Sequence, residues 1–276
     1  QIFTDTINIT VNALPLISIN LVNTNDTQIC PGNSVPIEAT NNPYYIYQWL
    51  NNSEVIPSAP NNANYTVSDA GVYSVAVTDL NGCAATSNVI EITILPSPNI
   101  SIEPNEDAYI CEGDSATITV VADDTDYTYV WYRNGDEIPN ATGQSYVAQE
   151  AGQYFVVATN EYNCFAPTNP LTIFANSNPV ATINPSDTTL CTGSTISLQA
   201  SLGNSYNYLW SNGSITTTNN IAQSGTYTVT VTDTTTNCFS VSSPATVIDV
   251  LLPSAYYEIN YINNYTIEFI NNSTQF

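Results

Sequence analysis

The sequence predicts an all-β chain built from tandem two-layered sandwiches. Three observations predict it: a motif recurring at a period of about eighty residues, alternation of apolar and polar residues after each recurrence, and the lack of a sustained 3.6-residue periodicity. The recurrence is anchored on cysteine. "CPGNSVPIEA" (30–39), "CEGDSATITV" (111–120) and "CTGSTISLQA" (191–200) share Cys, any residue, Gly and then an alternating run. The inward set is Val35, Ile37 and Ala39 in the first, Ala116, Ile118 and Val120 in the second, and Ile196, Leu198 and Ala200 in the third. A period of two makes each run a strand with one buried face.

Next in every repeat comes Tyr, any residue, Trp: Tyr47 and Trp49, Tyr129 and Trp131, Tyr208 and Trp210. A Trp on the third strand is the residue around which an immunoglobulin-like sandwich packs its core. Asn134-Gly135 and Asn212-Gly213 mark tight hairpins, because φ > 0 costs little there. Gly71 and Tyr73, Gly152 and Tyr154, and Gly225 and Tyr227 then open an alternating strand in the manner of the corner tyrosine before the sixth strand. An apolar strand closes each unit, "NVIEITIL", "PLTIFAN" or "ATVIDVLL", and a short proline-containing joint leads on. Such joints are stiff. The predicted fold class is therefore all-β, with tandem immunoglobulin-like β-sandwich repeats forming an elongated rod. Residues 1–12 read as the last strand of a preceding repeat, 13–96, 97–178 and 179–252 as three complete repeats, and 253–276 as the first strands of a following module. The expectation is an internal piece of a longer polypeptide.

Composition narrows the function. The 276 residues carry 24 acids, one base (Arg133), no His and no Lys, for a formal net charge of −23. Nucleic acid and anionic membrane surfaces need Lys and Arg, so neither is an expected partner. No run of eighteen apolar residues suggests direct membrane insertion. Without His or Lys, Ser-His-Asp, Cys-His and Schiff-base chemistry are absent, and the expectation is that the chain is not an enzyme. Calcium, which takes carboxylate and carbonyl oxygens from loops, is the one candidate cofactor, and Asp123, Asp124 and Asp126 are its candidate ligands. "EPNED" (Glu103, Glu106, Asp107), Asp79 and Asp233 are further acidic turns. Trp49, Trp131 and Trp210, with Tyr73, Tyr154 and Tyr227, are read as structural core rather than as a carbohydrate platform, since they hold the same register in every repeat.

Six cysteines without a CxxC pair point to disulfides in an oxidising, extracellular setting rather than to zinc. They are Cys30, Cys83, Cys111, Cys164, Cys191 and Cys238. In each repeat the first precedes the second strand and the other lies beyond the hairpin joining the sixth and seventh strands. One pairing, the simpler, bonds Cys30 to Cys83, Cys111 to Cys164 and Cys191 to Cys238 within repeats. The other staples neighbours through Cys30–Cys164 and Cys111–Cys238, leaving Cys83 and Cys191 for units outside. Both readings stay open at the level of sequence.

The repeat signatures "CxGxSVxL", "YxW" and "GxYxVxVTDxNGC" resemble the immunoglobulin-like repeats of very large secreted surface proteins of Bacteroidetes, including SprB-like gliding adhesins. All three complete repeats carry the likeness, and the final stretch is similar to the opening of a PKD-type domain. The resemblance implies type IX secretion, an extracellular, outer membrane-attached location, and a role as a stalk in adhesion or gliding motility. It adds surface glycans and the secretion or gliding machinery to the adjacent repeats as expected partners. It also implies O-glycan acceptors at Thr6, Ser115, Thr188 and Thr234. The alternatives are a filament protomer assembling by strand addition and a glycan-binding module.

Overall fold

The alternation read from the sequence becomes strands throughout. The structure, a computed structural model, describes residue 7 and residues 9–273, and no helix occurs among them. The chain divides into two compact units: Gln1–Glu106, Thr117–Val147 and Gly152–Thr172 form one, and Asp107–Ala116, Ala148–Ala151 and Ile173–Phe276 the other. Of the strand expected over residues 1–12, residues 1–6 and 8 lie outside the described residues, and residues 7 and 9–12 are without regular structure.

The first repeat contains β1 (Ile19–Leu21), β2 (Gln28–Ile29), β3 (Val35–Ala39), β4 (Ile46–Asn51), β5 (Glu54–Val55), β6 (Asn64–Val67), β7 (Gly71–Thr78), β8 (Ala84–Thr86) and β9 (Ile90–Ile94). Two sheets result, one ordered β1-β3-β6 and the other β2-β9-β7-β4-β5, with β8 also on β7. In β3 the period-two pattern is literal: Val35, Ile37 and Ala39 are buried and the residues between them exposed. With Trp49, Tyr73 and Val75 they build a single core between the sheets. Strand β2 pairs with β9 in parallel, Ile29 opposite Ile94, whereas β7 and β9 are antiparallel, Gly71 opposite Ile92.

The second repeat contains β10 (Ile100–Glu103), β11 (Ala108–Cys111), β12 (Ala116–Ala122), β13 (Thr128–Arg133), β14 (Asp136–Glu137), β15 (Ser145–Ala148), β16 (Gly152–Thr159), β17 (Phe165–Pro167) and β18 (Leu171–Asn176). In the first unit β10 pairs with β12, and β13 lies between β14 and β16, with β17 on the far end of β16. In the second unit β11 runs parallel to β18, Cys111 opposite Asn176.

The third repeat, wholly in the second unit, contains β19 (Ile183–Asn184), β20 (Asp187–Cys191), β21 (Ile196–Ala200), β22 (Tyr206–Trp210), β23 (Thr218–Ile221), β24 (Gly225–Tyr227), β25 (Val229–Asp233), β26 (Phe239–Val241) and β27 (Ala245–Val250). Its sheets are β19-β21-β23, β20-β27-β24 and β22-β25-β26 around a core that includes Leu198, Trp210 and Val231. Residues beyond it form a hairpin, β28 (Tyr257–Asn263) with β29 (Thr266–Asn271), exposed at every position.

Candidate functional site

The site is the set of turns that carry cysteine. Cys30 follows β2, while Cys111 and Cys191 end β11 and β20. Two residues later stand Gly32, Gly113 and Gly193 with φ of 82°, 91° and 82°, a backbone region where a Cβ would be strained. Each turn closes when a backbone N–H donates to the cysteine carbonyl: Asn33 to Cys30 at 3.1 Å, Asp114 to Cys111 at 2.9 Å, Ser194 to Cys191 at 2.9 Å. The hairpins holding the other cysteines share one closure. The N–H groups of Asp79, Asn160 and Asp233 donate to the carbonyls of Cys83, Cys164 and Cys238 at 2.9, 3.0 and 2.8 Å. In return the N–H of Cys83 donates to Asp79 Oδ1 at 2.8 Å and that of Cys164 to Asn160 Oδ1 at 3.0 Å.

Cysteines of consecutive repeats are bonded. Cys30 joins Cys164 with a Cα–Cα distance of 5.3 Å, and Cys111 joins Cys238 at 5.5 Å. The within-repeat pairing is thereby corrected, and strand register gives the reason. Parallel pairing of β2 with β9 sets Cys30 beside the end of β9, which lies against the Gly71 end of β7. Cys83 lies beyond the other end, where Thr78 faces Ala84. The eight residues of β7 separate the two thiols by roughly 25 Å, whereas a disulfide needs Cα atoms within about 7 Å. Asn160 reinforces the first junction: its Nδ2 donates to the carbonyl of Pro96, in the joint, at 2.7 Å. Cys164 and Cys238 are fully buried. Cys83 is half-buried and Cys191 exposed, both as free thiols.

The acidic residues mostly build turns. Asp123 accepts the Tyr127 hydroxyl at 2.8 Å, and this bond, foremost, pushes the Tyr127 pKa up to about 12. Asp124 accepts the N–H of Thr125 at 2.6 Å and that of Asp126 at 3.3 Å. Asp233 accepts both the hydroxyl and the N–H of Thr235, at 2.6 and 2.8 Å, which holds its carboxyl below the ordinary range. Among the described residues no three Cys, His, Asp or Glu side chains are gathered as a metal cage. Ser115 and Thr234 are exposed, Thr188 is half-buried in β20, and Thr6 lies outside the described residues.

Trp49, Trp131 and Trp210 are buried, and each indole N–H donates to a backbone carbonyl, of Asn62 at 3.1 Å, Gly143 at 2.8 Å and Thr216 at 2.8 Å. Tyr73 and Tyr227 turn their hydroxyls to the carbonyls of Asp69 and Gln223 at 3.0 and 2.9 Å; Tyr154 is buried beside Arg133. Sequence reasoning missed two features. Ser87, Thr168 and Ser242 each stand four residues after a cysteine, a spacing that repeats legibly. Their hydroxyls accept the N–H groups of Val75, Val156 and Val229 at 3.0, 3.2 and 3.1 Å, completing the ladder where the last strand breaks. In the third repeat buried Asn219 takes the register held by Tyr65 in the first, and its amide pairs reciprocally with that of Asn212 at 3.0 and 3.3 Å.

Comparison with known proteins finds likenesses among solved structures and to a family model. The chain is similar to the titin I-band fragment I67-I69, at 14% identity and TM-score 0.41, covering 88% of this chain and 100% of that one. It is also similar to three N-terminal domains of the Hoc outer capsid protein of bacteriophage RB49, at 18% identity and TM-score 0.33, covering 85% and 99%. No curated protein sequence matches the chain. Residues 98–176, the second repeat, match the family model described as "Ig-like domain CHU_C associated", and the fold of the described residues is all-β, with tandem Ig-like sandwiches.

Proposed function

We propose that this chain is a stalk segment of a large secreted bacterial surface adhesin, a spacer that holds a binding module away from the cell. The observation that carries the reading is the pair of disulfides joining each repeat to the next. Disulfides of this kind persist in oxidising compartments, which supports an extracellular location. A covalent tie between neighbours adds nothing to a module acting alone; it resists separation of modules in series. The CHU_C-associated likeness of the second repeat and the sequence resemblance above support a Bacteroidetes surface protein, serving adhesion or gliding.

The test is small-angle scattering of the Cys83→Ser, Cys191→Ser double variant, so that free thiols cannot link copies. The expected result is an elongated monomer with unchanged dimensions across concentration. A compact particle would overturn the stalk. Fibres growing with concentration would favour the filament reading instead, for which the exposed apolar faces of β28 and β29, including Tyr261, Ile267 and Phe269, give the specific support.

A further inference from the structure

The two disulfides interlock along the sequence. Cys30 and Cys164 are 134 residues apart, Cys111 and Cys238 are 127 apart, and each pair encloses one cysteine of the other. When a cross-linked chain is pulled until its folded parts yield, tension settles on the shortest covalent route, because the longer arms are still slack when the short one is taut. Between Cys30 and Cys238 that route is not the backbone. It crosses sulfur from Cys30 to Cys164, runs backward along the chain to Cys111, and crosses sulfur again to Cys238. The backward stretch is about 50 residues and reaches at most roughly 18 nm, against about 200 residues and roughly 70 nm for the uninterrupted backbone. Its build suits it to load. It holds β12, β13, β14, β15 and β16. Strand β16 finishes with Thr159 opposite Thr128, where β13 begins, and a short loop joins that point to the end of β12. Tension between Cys111 and Cys164 therefore draws β12 by its start and β16 by its end, along the strands. Buried Ile118 and Val120 of β12 and Val156 and Ala158 of β16 are loaded together, rather than hydrogen bonds being peeled one at a time.

We propose that the interlocked disulfides form a redundant extension limiter: between Cys30 and Cys238 the chain lengthens under tension only to the reach of the Cys111–Cys164 stretch, and either disulfide alone holds nearly the same limit. The segments from Cys30 to Cys111 and from Cys164 to Cys238 are bypassed, so the first and third repeats can open and refold without lengthening the chain. Interlocking is what supplies the redundancy. With only Cys111–Cys238 in place the route follows the backbone from Cys30 to Cys111, and with only Cys30–Cys164 it follows the backbone from Cys164 to Cys238. Each of these arms is about 75–80 residues, roughly 7–10 nm longer than the stretch used when both bonds are present. Bonds confined within repeats would behave otherwise, because each would release its whole loop when lost. The inference deepens the stalk reading, yet it rests on covalent connectivity alone.

The experiment stretches the full chain between its two ends by single-molecule force spectroscopy, with Cys83→Ser and Cys191→Ser in every sample so that no other bonds form. Oxidised, this parent is expected to reach roughly 40 nm at full extension. Adding Cys30→Ser with Cys164→Ser, or Cys111→Ser with Cys238→Ser, is expected to lengthen it by only about 7–10 nm. Dithiothreitol, which opens both bonds in the parent without any further substitution, is expected to release all 276 residues, roughly 95 nm. Thiol alkylation read by mass spectrometry selects the samples whose remaining cysteines are bonded. An oxidised parent that already reaches 95 nm would overturn the limiter. Single-pair losses that each add about half of the total gain would overturn the redundancy. Neither result bears on whether the chain is elongated at rest, which scattering reads separately.

Discussion

Gly71, Gly152 and Gly225 open the strand that leads to each cysteine hairpin, and their φ values of 153°, 158° and 156° show why glycine recurs there. A Cβ at Gly71 would overlap the carboxamide of Asn51. Two residues on, the tyrosines fill the core, so the Gly-x-Tyr signature joins a backbone demand to a packing demand. Trp131 meets both kinds of demand in one side chain: its ring is buried, 5.7 Å from that of Tyr146, and its N–H satisfies Gly143. Trp131→Ala is expected to destabilise the second repeat by about 3–5 kcal/mol, measured by urea unfolding. A loss of ligand binding at unchanged stability would instead assign the ring to a surface role. Tyr127 reports on the acidic turn. Its pKa of about 12 lies above the ordinary tyrosine value of 10.0, owing first to the hydrogen bond with Asp123. A raised folded-state value means that this bond's contribution is intact below pH ~10 and is lost as the pH climbs toward 12. In Asp123→Asn the ultraviolet tyrosinate titration of Tyr127 is expected to return toward the ordinary range; an unmoved titration would show that the carboxylate is not its cause.

Among elements, what was legible in the sequence was whatever repeats or alternates. Val35, Ile37 and Ala39 declare a half-buried strand by spacing alone, and Trp49 with Tyr73 declares which two strands face the core. The partner of Cys30 is not written that way. Cys83 and Cys164 sit in the same hairpin motif, and only the parallel pairing of β2 with β9, a long-range contact, sets which of the two is within reach. The Asn212–Asn219 pair is hidden for a related reason: an Asn in a strand reads as surface until the fold supplies its buried partner. The staple's energetic weight follows from its loop. Cys30 and Cys164 are 134 residues apart, and removing a bridge that closes so long a loop is expected to cost about 3–5 kcal/mol. The Cys30→Ser, Cys164→Ser double variant is therefore expected to keep its β-type circular dichroism while its unfolding midpoint falls. An unchanged midpoint would show that the repeats gain nothing from the tie.

At the scale of the molecule, one sign of charge dominates. A formal net charge of −23 with a single base keeps copies apart in solution, so any coupling between them must be specific. Arg133, the one base, ends β13 where Asp136 of β14 pairs with it across the hairpin. It is also the one peptide position that a protease specific for basic residues can attack.

The two disulfide loops overlap, since Cys111 lies inside the segment closed by Cys30 and Cys164, and Cys164 inside the one closed by Cys111 and Cys238. Every peptide bond from Cys30 to Cys238 is consequently bridged by at least one sulfur link, and the Arg133 bond by both. A lone hydrolytic cut anywhere in that span leaves the fragments fastened together, so the chain outlives damage that would sever an ordinary string of domains.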